Sequence, residues 1–368
     1  MTKTESVYFD LTRVVAALFV LVGHVVLIVP GALPFQDWAH FAVICFFVLS
    51  GYVISYVSDG KEKSGIDYFI NRAARVYSVA FPAVLLTVGC DYFGRQSLGS
   101  TIYQFHPHDW ALLRIALALT FTSETWFNSV QLLSNGPYWS LCYEVWYYAI
   151  FGAAYYLKGR RRGLTVAALT ILAGPKILLL FPIWLLGVAL YRYKNIPRPS
   201  VGFALFIISI VSIVIIVHSD LPTAALRMVR HVVGAEIFKD LEFSGDFPSD
   251  YLVALLVAIN FFAVRSFDGK IDLSRIAGPI RWAGASTFSL YLFHFPLMLL
   301  LMSVFPSLRV SGNALVLIAS ILILVVLLSY ATERRKTFWR KAVVLTVSIA
   351  RNYRPFAPPA YDGDGSKI

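Results

Sequence analysis

Runs of about twenty apolar residues, long enough to cross a hydrocarbon core about 30 Å thick as a helix, occupy most of this chain and constrain it more than any other feature. They fall at 10–30, 39–58, 76–93, 138–157, 163–175, 177–191, 200–218, 250–265, 283–305 and 312–331. The pair 163–175 and 177–191 is short and meets at Pro175-Lys176, so it reads as two abbreviated spans or one kinked one. The apolar stretch 110–122 is too short to cross and suits a re-entrant or interfacial helix. Charged residues make up 14% of the chain, against about 25% in an ordinary soluble domain, so lipid is the natural solvent for much of the surface. The expected fold is all-α and polytopic, with about ten transmembrane helices. One integral membrane domain covers 1–354, and 355–368, rich in Pro, Asp and Gly, reads as a disordered cytoplasmic tail.

The formal charge of +11 does not form a basic face for nucleic acid, because the Lys and Arg residues sit between apolar runs. With ten spans and a cytoplasmic N-terminus, 24 of the 32 lie in cytoplasmic segments, seven lie outside, and Arg13 lies within the first span. That asymmetry is the positive-inside pattern, and it places both ends in the cytoplasm. The first apolar run has no Ala-x-Ala-like site and reads as a retained helix, not a cleaved leader. Cys45, Cys90 and Cys142 all fall in apolar stretches without metal-ligand spacing, which predicts free buried thiols.

Ionisable groups inside a span are costly and are functional candidates by default. The first span holds Asp10, Arg13 and His24. Eleven steps of 100° bring Arg13 and His24 to within about 20° of each other around the axis, with Asp10 about 60° away. All three share one face, His24 about 16 Å above Arg13 along the axis. Arg72 and Arg75, at i and i+3, point the same way and suit phosphate oxygens. The competing reading for them is a simple juxtamembrane anchor. Glu144 enters the 138–157 span and is a candidate to orient a catalytic histidine or to meet sugar hydroxyls beside Trp139. His294 lies mid-span, with Pro296 freeing a backbone carbonyl nearby. His106 and His108 lack a third ligand, so no metal is expected. No Gly-x-Ser-x-Gly elbow, Walker A loop or Gly-x-Gly-x-x-Gly fingerprint occurs, which argues against serine-nucleophile and nucleotide-driven chemistry.

Taken together and in order, these residues resemble the membrane acyltransferase-3 family. Asp10-x-x-Arg13, ten residues and His24 are similar to its opening. Phe46-Phe47-Val48-Leu49-Ser50-Gly51-Tyr52-Val53-Ile54 resembles its Phe-Phe-x-x-Ser-Gly-Phe-x-Ile element. Arg72-x-x-Arg75, Trp139-Ser140-Leu141-x-x-Glu144, Ser286 to His294, and Tyr330 with Glu333 follow in order. Tyr52 stands where Phe is commoner, and Phe288 where the late element often has Tyr. The resemblance implies transfer of an acyl group, most often acetyl from acetyl-CoA, to a hydroxyl of a carbohydrate such as an exopolysaccharide, lipopolysaccharide or glycolipid, in a bacterial inner membrane. It implies His24 as base with Arg13 and Glu144 in the catalytic group. Arg72 and Arg75 would hold the CoA phosphates, and Ser50, Gly51 and Tyr52 would shape the donor pocket. Asp10, Trp139, Ser140 and His294 would stand near the substrate. Acyl-CoA, a carbohydrate acceptor and membrane lipid are the expected partners, and a homo-oligomer stays open. The rival from another class is a proton-coupled transporter or flippase lined by His24, Glu144 and Arg13.

Overall fold

The computed structural model describes residues 1–29, 31–33, 38–60 and 62–351. It is helical throughout these residues. α1 (Lys3–Ile28) opens on a capping box in which Thr2 and Glu5 satisfy each other's backbone N–H. α2 (Trp38–Gly60) and α3 (Gly65–Arg95) follow, the latter capped by Ser64. α4 (Ala111–Leu119) is a short helix within 110–122. α5 (Trp139–Tyr156), α6 (Gly159–Ala173) and α7 (Pro175–Arg192) come next. α6 and α7 are two helices, separated at Gly174 by a positive φ of 82° that a side chain would resist. α8 (Pro199–Val217), α9 (Leu221–Val233), α10 (Ala235–Leu241), α11 (Phe247–Val264), α12 (Ser274–Gly284), α13 (Thr287–Val304), α14 (Ala314–Ala331) and α15 (Lys336–Arg351) complete the described chain. The tail expected from residue 355 onward lies outside the described residues.

Among the described residues eight helical segments are long and apolar enough to cross a membrane: α1, α2, α3, α7, α8, the run from α10 through α11, α13 and α14. α5 and α6 account for the difference from ten. α5 has 18 residues but carries two tryptophans, five tyrosines and Glu144. α6 has 15 residues and opens on three arginines. The predicted span 283–305 also divides: its first residues close α12, and α13 starts after Ser286. α3 begins eleven residues before the predicted 76, so Arg72 and Arg75 lie inside the helix and do not open it.

The core is built around α13. Fourteen of its 18 residues are buried, because α3, α14 and α1 all pack against it. α8 is the opposite case, with four buried residues in 19 and Ile207, Val211 and Ile215 exposed, the pattern of a lipid-facing helix. Pro296 cannot hydrogen-bond to Leu292 O; that carbonyl instead accepts from Asn135 Nδ2 at 2.9 Å. Glu5 joins three helices by accepting from Tyr52 on α2 at 2.8 Å and from buried Arg265, just past α11, at 3.2 Å. The three cysteines are unpaired.

α2 and α7 approach through glycines, as small residues allow in lipid. A Cβ on Gly51 would lie 1.9 Å from Trp184 O, and one on Gly187 would lie 1.9 Å from Val48 O. Gly51→Ala is therefore expected to cost about 1–3 kcal/mol by overpacking, read as a lower unfolding temperature in detergent. Gly60→Ala, with nothing within 4 Å of the added carbon, should leave that temperature unchanged. Equal behaviour of the two variants would contradict the close helix approach.

Candidate active site

A cavity of about 1040 Å³, part of it open to solvent, lies between α1, α2, α3, α5 and α13. Its polar wall is Arg13, Ser50, Arg72, Arg75, Ser140 and Glu144, and its apolar wall includes Val43, Phe46, Val53, Ile54 and Phe288. Arg13 is held by Asp10 at 2.8 Å, one turn back on α1. Arg72 is held by Glu62 at 2.9 Å. Arg75 is the exposed member, its guanidinium 5.7 Å from the Phe288 ring. Glu144 accepts from Ser50 Oγ at 2.5 Å and from Tyr148 OH at 2.6 Å, while Trp184 donates to Ser50 at 3.1 Å. A carboxylate so held is fixed in direction, and its open side faces the cavity.

On α13 the cavity is lined as far along as Tyr291, bonded to Ser140 at 2.5 Å and to Pro137 O at 3.0 Å. One turn further along α13, and 6.4 Å between ring centres, stands His294. His294 is fully buried and its Nδ1 faces Leu290 O at 2.9 Å. A carbonyl oxygen only accepts, so that nitrogen carries the hydrogen and Nε2 holds a lone pair. His24 Nδ1 lies 2.8 Å from Val20 O and 3.1 Å from His294 Nε2. By the same argument it is an N–H, shared between the two acceptors. The unshared lone pair of His24 is thereby placed on Nε2. His24 is half-buried, with Phe295 edge-on at 5.3 Å. A neutral imidazole oriented through Nδ1 and free at Nε2 has the form of a general base.

Near the N-terminal part of α3 and the C-terminal end of α14 a second cleft continues from the first, sharing Arg72 and Arg75 and adding Glu333, Lys336 and Arg340. Glu333 is buried and accepts from the Ser289 amide at 3.0 Å and its hydroxyl at 3.2 Å. Burial pushes its carboxyl above the usual range, and Arg75 opposes that shift. Crowding pushes the Lys336 ammonium below the ordinary lysine value, first through desolvation and then through Arg75.

The family model described as an acyltransferase domain matches residues 6–334. The chain belongs to the acyltransferase-3 family. It is similar to the O-acetyl transferase of Shigella phage Sf6, 30% identical over 159 residues, which is 41% of this chain and 46% of that relative. The alignment thus spans less than half of the curated relative. No solved structure matches.

In this acyltransferase-3 chain six of the residues singled out from sequence line one cavity: Arg13, Ser50, Arg72, Arg75, Ser140 and Glu144. Others stand elsewhere. Gly51 does not shape the pocket, since it is pressed against α7. Tyr52 is turned to α1, bonded to Glu5 and edge-on to Phe9 at 4.8 Å. Trp139 is buried between Phe243, stacked at 4.4 Å, and the His40 ring. Glu144 accepts hydrogen bonds from Ser50 and Tyr148, and the ring that partners His24 is that of His294. His294 itself is fully buried against His24. Sequence reasoning missed Tyr148, although it lies four residues from Glu144 on the same helix face. It also missed the pair of half-buried His40 and buried Asp250, 2.9 Å apart.

Proposed function

We propose that this protein is an O-acyltransferase of the bacterial plasma membrane, moving an acyl group, in the first place acetyl, from acyl-CoA to a hydroxyl of a carbohydrate. The observation that carries the reading is the orientation of His24, with Nδ1 tied to Val20 O and His294 and Nε2 free. The basic mouth with Arg72 and Arg75 suits donor phosphates, and the apolar wall beyond it suits the flexible thiol arm. The arm reaches past Tyr291 to bring the thioester to His24. The acceptor oxygen attacks the thioester carbonyl as His24 Nε2 takes its proton. Collapse of the tetrahedral intermediate breaks the C–S bond, the thiolate leaves, and the proton passes from His24 to sulfur. The products are an ester and free CoA.

Family membership and the name of the phage relative support acyl transfer, and the gathering of Arg72, Arg75, Arg334, Arg335, Lys336 and Arg340 at one set of helix ends supports a cytoplasmic donor side. The test is reconstitution of purified protein in vesicles with acetyl-labelled CoA and a panel of glycans. The expected result is alkali-labile label in a glycan, with one CoA thiol released per ester. A glycan that crosses the bilayer unmodified, with no thiol released, would favour the transporter instead.

A further inference from the structure

We propose that α15 supplies half of an anion cradle, with Lys336 and Arg340 facing Arg72 and Arg75 across the cytoplasmic cleft and binding the phosphate-bearing end of the donor. The inference rests on the acyl-CoA reading and assigns to it a helix that the functional argument otherwise leaves unused.

α15 packs along α3. Arg340 Nε donates to Asn71 Oδ1 at 3.2 Å, and the Trp339 ring lies 6.4 Å from Phe81. These contacts aim Lys336 and Arg340, one helical turn apart, into the cleft that Arg72 and Arg75 line from the other side. Four cations therefore share one small space. The acidic side chain lining it is Glu333, whose carboxylate is already engaged by Ser289. Arg72 has a further partner in Glu62, yet its Nε is buried without an acceptor. Like charges brought this close repel, and Arg75, Lys336 and Arg340 all remain exposed to the cleft. A ligand with several phosphate oxygens supplies the missing negative charge and the missing acceptor together. Arg72 and Arg75 also line the larger cavity, so a phosphate group seated here leads its attached arm inward toward Tyr291.

Phosphate oxygens also occur on lipid headgroups, and α15 exposes Phe338 and Leu345. The experiment separates the two sources. The full chain is placed in nanodiscs of zwitterionic lipid and of lipid with an anionic fraction, and the Kd for CoA is measured by calorimetry. The proteins are the wild type, Lys336→Gln with Arg340→Gln, and Arg281→Gln as a control for an exposed cation on α12 outside the cleft. The double variant should bind CoA about tenfold or more weakly in both lipids, the scale of lost charge-assisted hydrogen bonds, while Arg281→Gln stays at the wild-type value. A double variant with the wild-type Kd, in a protein that still transfers acetyl groups, overturns the role of α15 alone. A loss confined to anionic discs assigns the two cations to lipid and overturns it as well. A wild type that binds no CoA removes the donor reading beneath it.

Discussion

His24→Ala is expected to lower acyl transfer by about 10²–10⁴, the range ascribed to a positioned general base, while CoA binds with unchanged affinity. The separation of the two effects follows from the geometry. His24 is not among the residues lining the cavity; it is paired with His294, which stands one turn beyond Tyr291 on α13. Removing its imidazole takes away the proton acceptor and leaves every phosphate and arm contact in place. His294→Ala should act on the same step with a smaller loss, about 10–10² by comparison. It removes one of two acceptors for His24 Nδ1–H, so the base survives but is held less firmly. Single-turnover transfer beside calorimetric CoA binding reads both variants. An alanine at 24 that lowers affinity and turnover equally would make His24 a donor contact, and one that lowers neither would remove it from the reaction.

The second large effect is expected from the arginine pair. Arg75→Ala should weaken CoA binding by about tenfold to a hundredfold, since a hydrogen bond to a charged group contributes roughly 1.5–3 kcal/mol. Adding Arg72→Gln should raise the loss to about 10² or more. Arg75 is the cleaner probe, because it is exposed to the cavity and its influence on buried Glu333 is exerted without a direct ion pair among the described residues. Arg72 also neutralises Glu62, whose side chain is 2% exposed, and taking one partner from a buried pair costs about 3–5 kcal/mol. Arg72→Gln therefore needs Glu62→Gln beside it, so that lost folding is not read as lost binding. If both arginines are removed from a protein with its melting temperature intact and Kd for CoA does not move, neither residue holds the donor.

What the sequence revealed and what it concealed follow one physical rule. Residues on one helix and one face are related by arithmetic, so Asp10 with Arg13, and Arg72 with Arg75, are legible at 100° per residue. Adjacent residues of a motif are not equivalent for the same reason. Ser50, Gly51 and Tyr52 point in three directions, so Ser50 reaches Glu144, Gly51 meets α7 and Tyr52 meets Glu5. Contacts across the chain leave no periodic trace: His40 and Asp250 are 210 residues apart, and His24 and His294 are 270 apart. The all-helical membrane fold was legible from the apolar runs. Two of the ten predicted spans fall short for different reasons: α5 carries tyrosines that bond within the protein, as Tyr147 does to Ile177 O and Tyr148 to Glu144, and α6 has 15 residues and opens on three arginines. α15 went unread because its basic residues stood out more than their four-residue spacing.

The proposed transfer requires a donor seated on Arg72 and Arg75 to deliver its thioester to His24, past the Tyr291 ring that lines the cavity. A structure of the protein in nanodiscs with a non-hydrolysable acetyl-CoA analogue measures this directly. Phosphates are expected at the two arginines, with a displaced Tyr291 ring and the acyl carbonyl close enough to His24 Nε2 to leave a hydroxyl about 3–3.5 Å from the carbon it attacks. An analogue whose acyl group ends on the cytoplasmic side of an unmoved Tyr291, or whose phosphates lie away from α3, would contradict it.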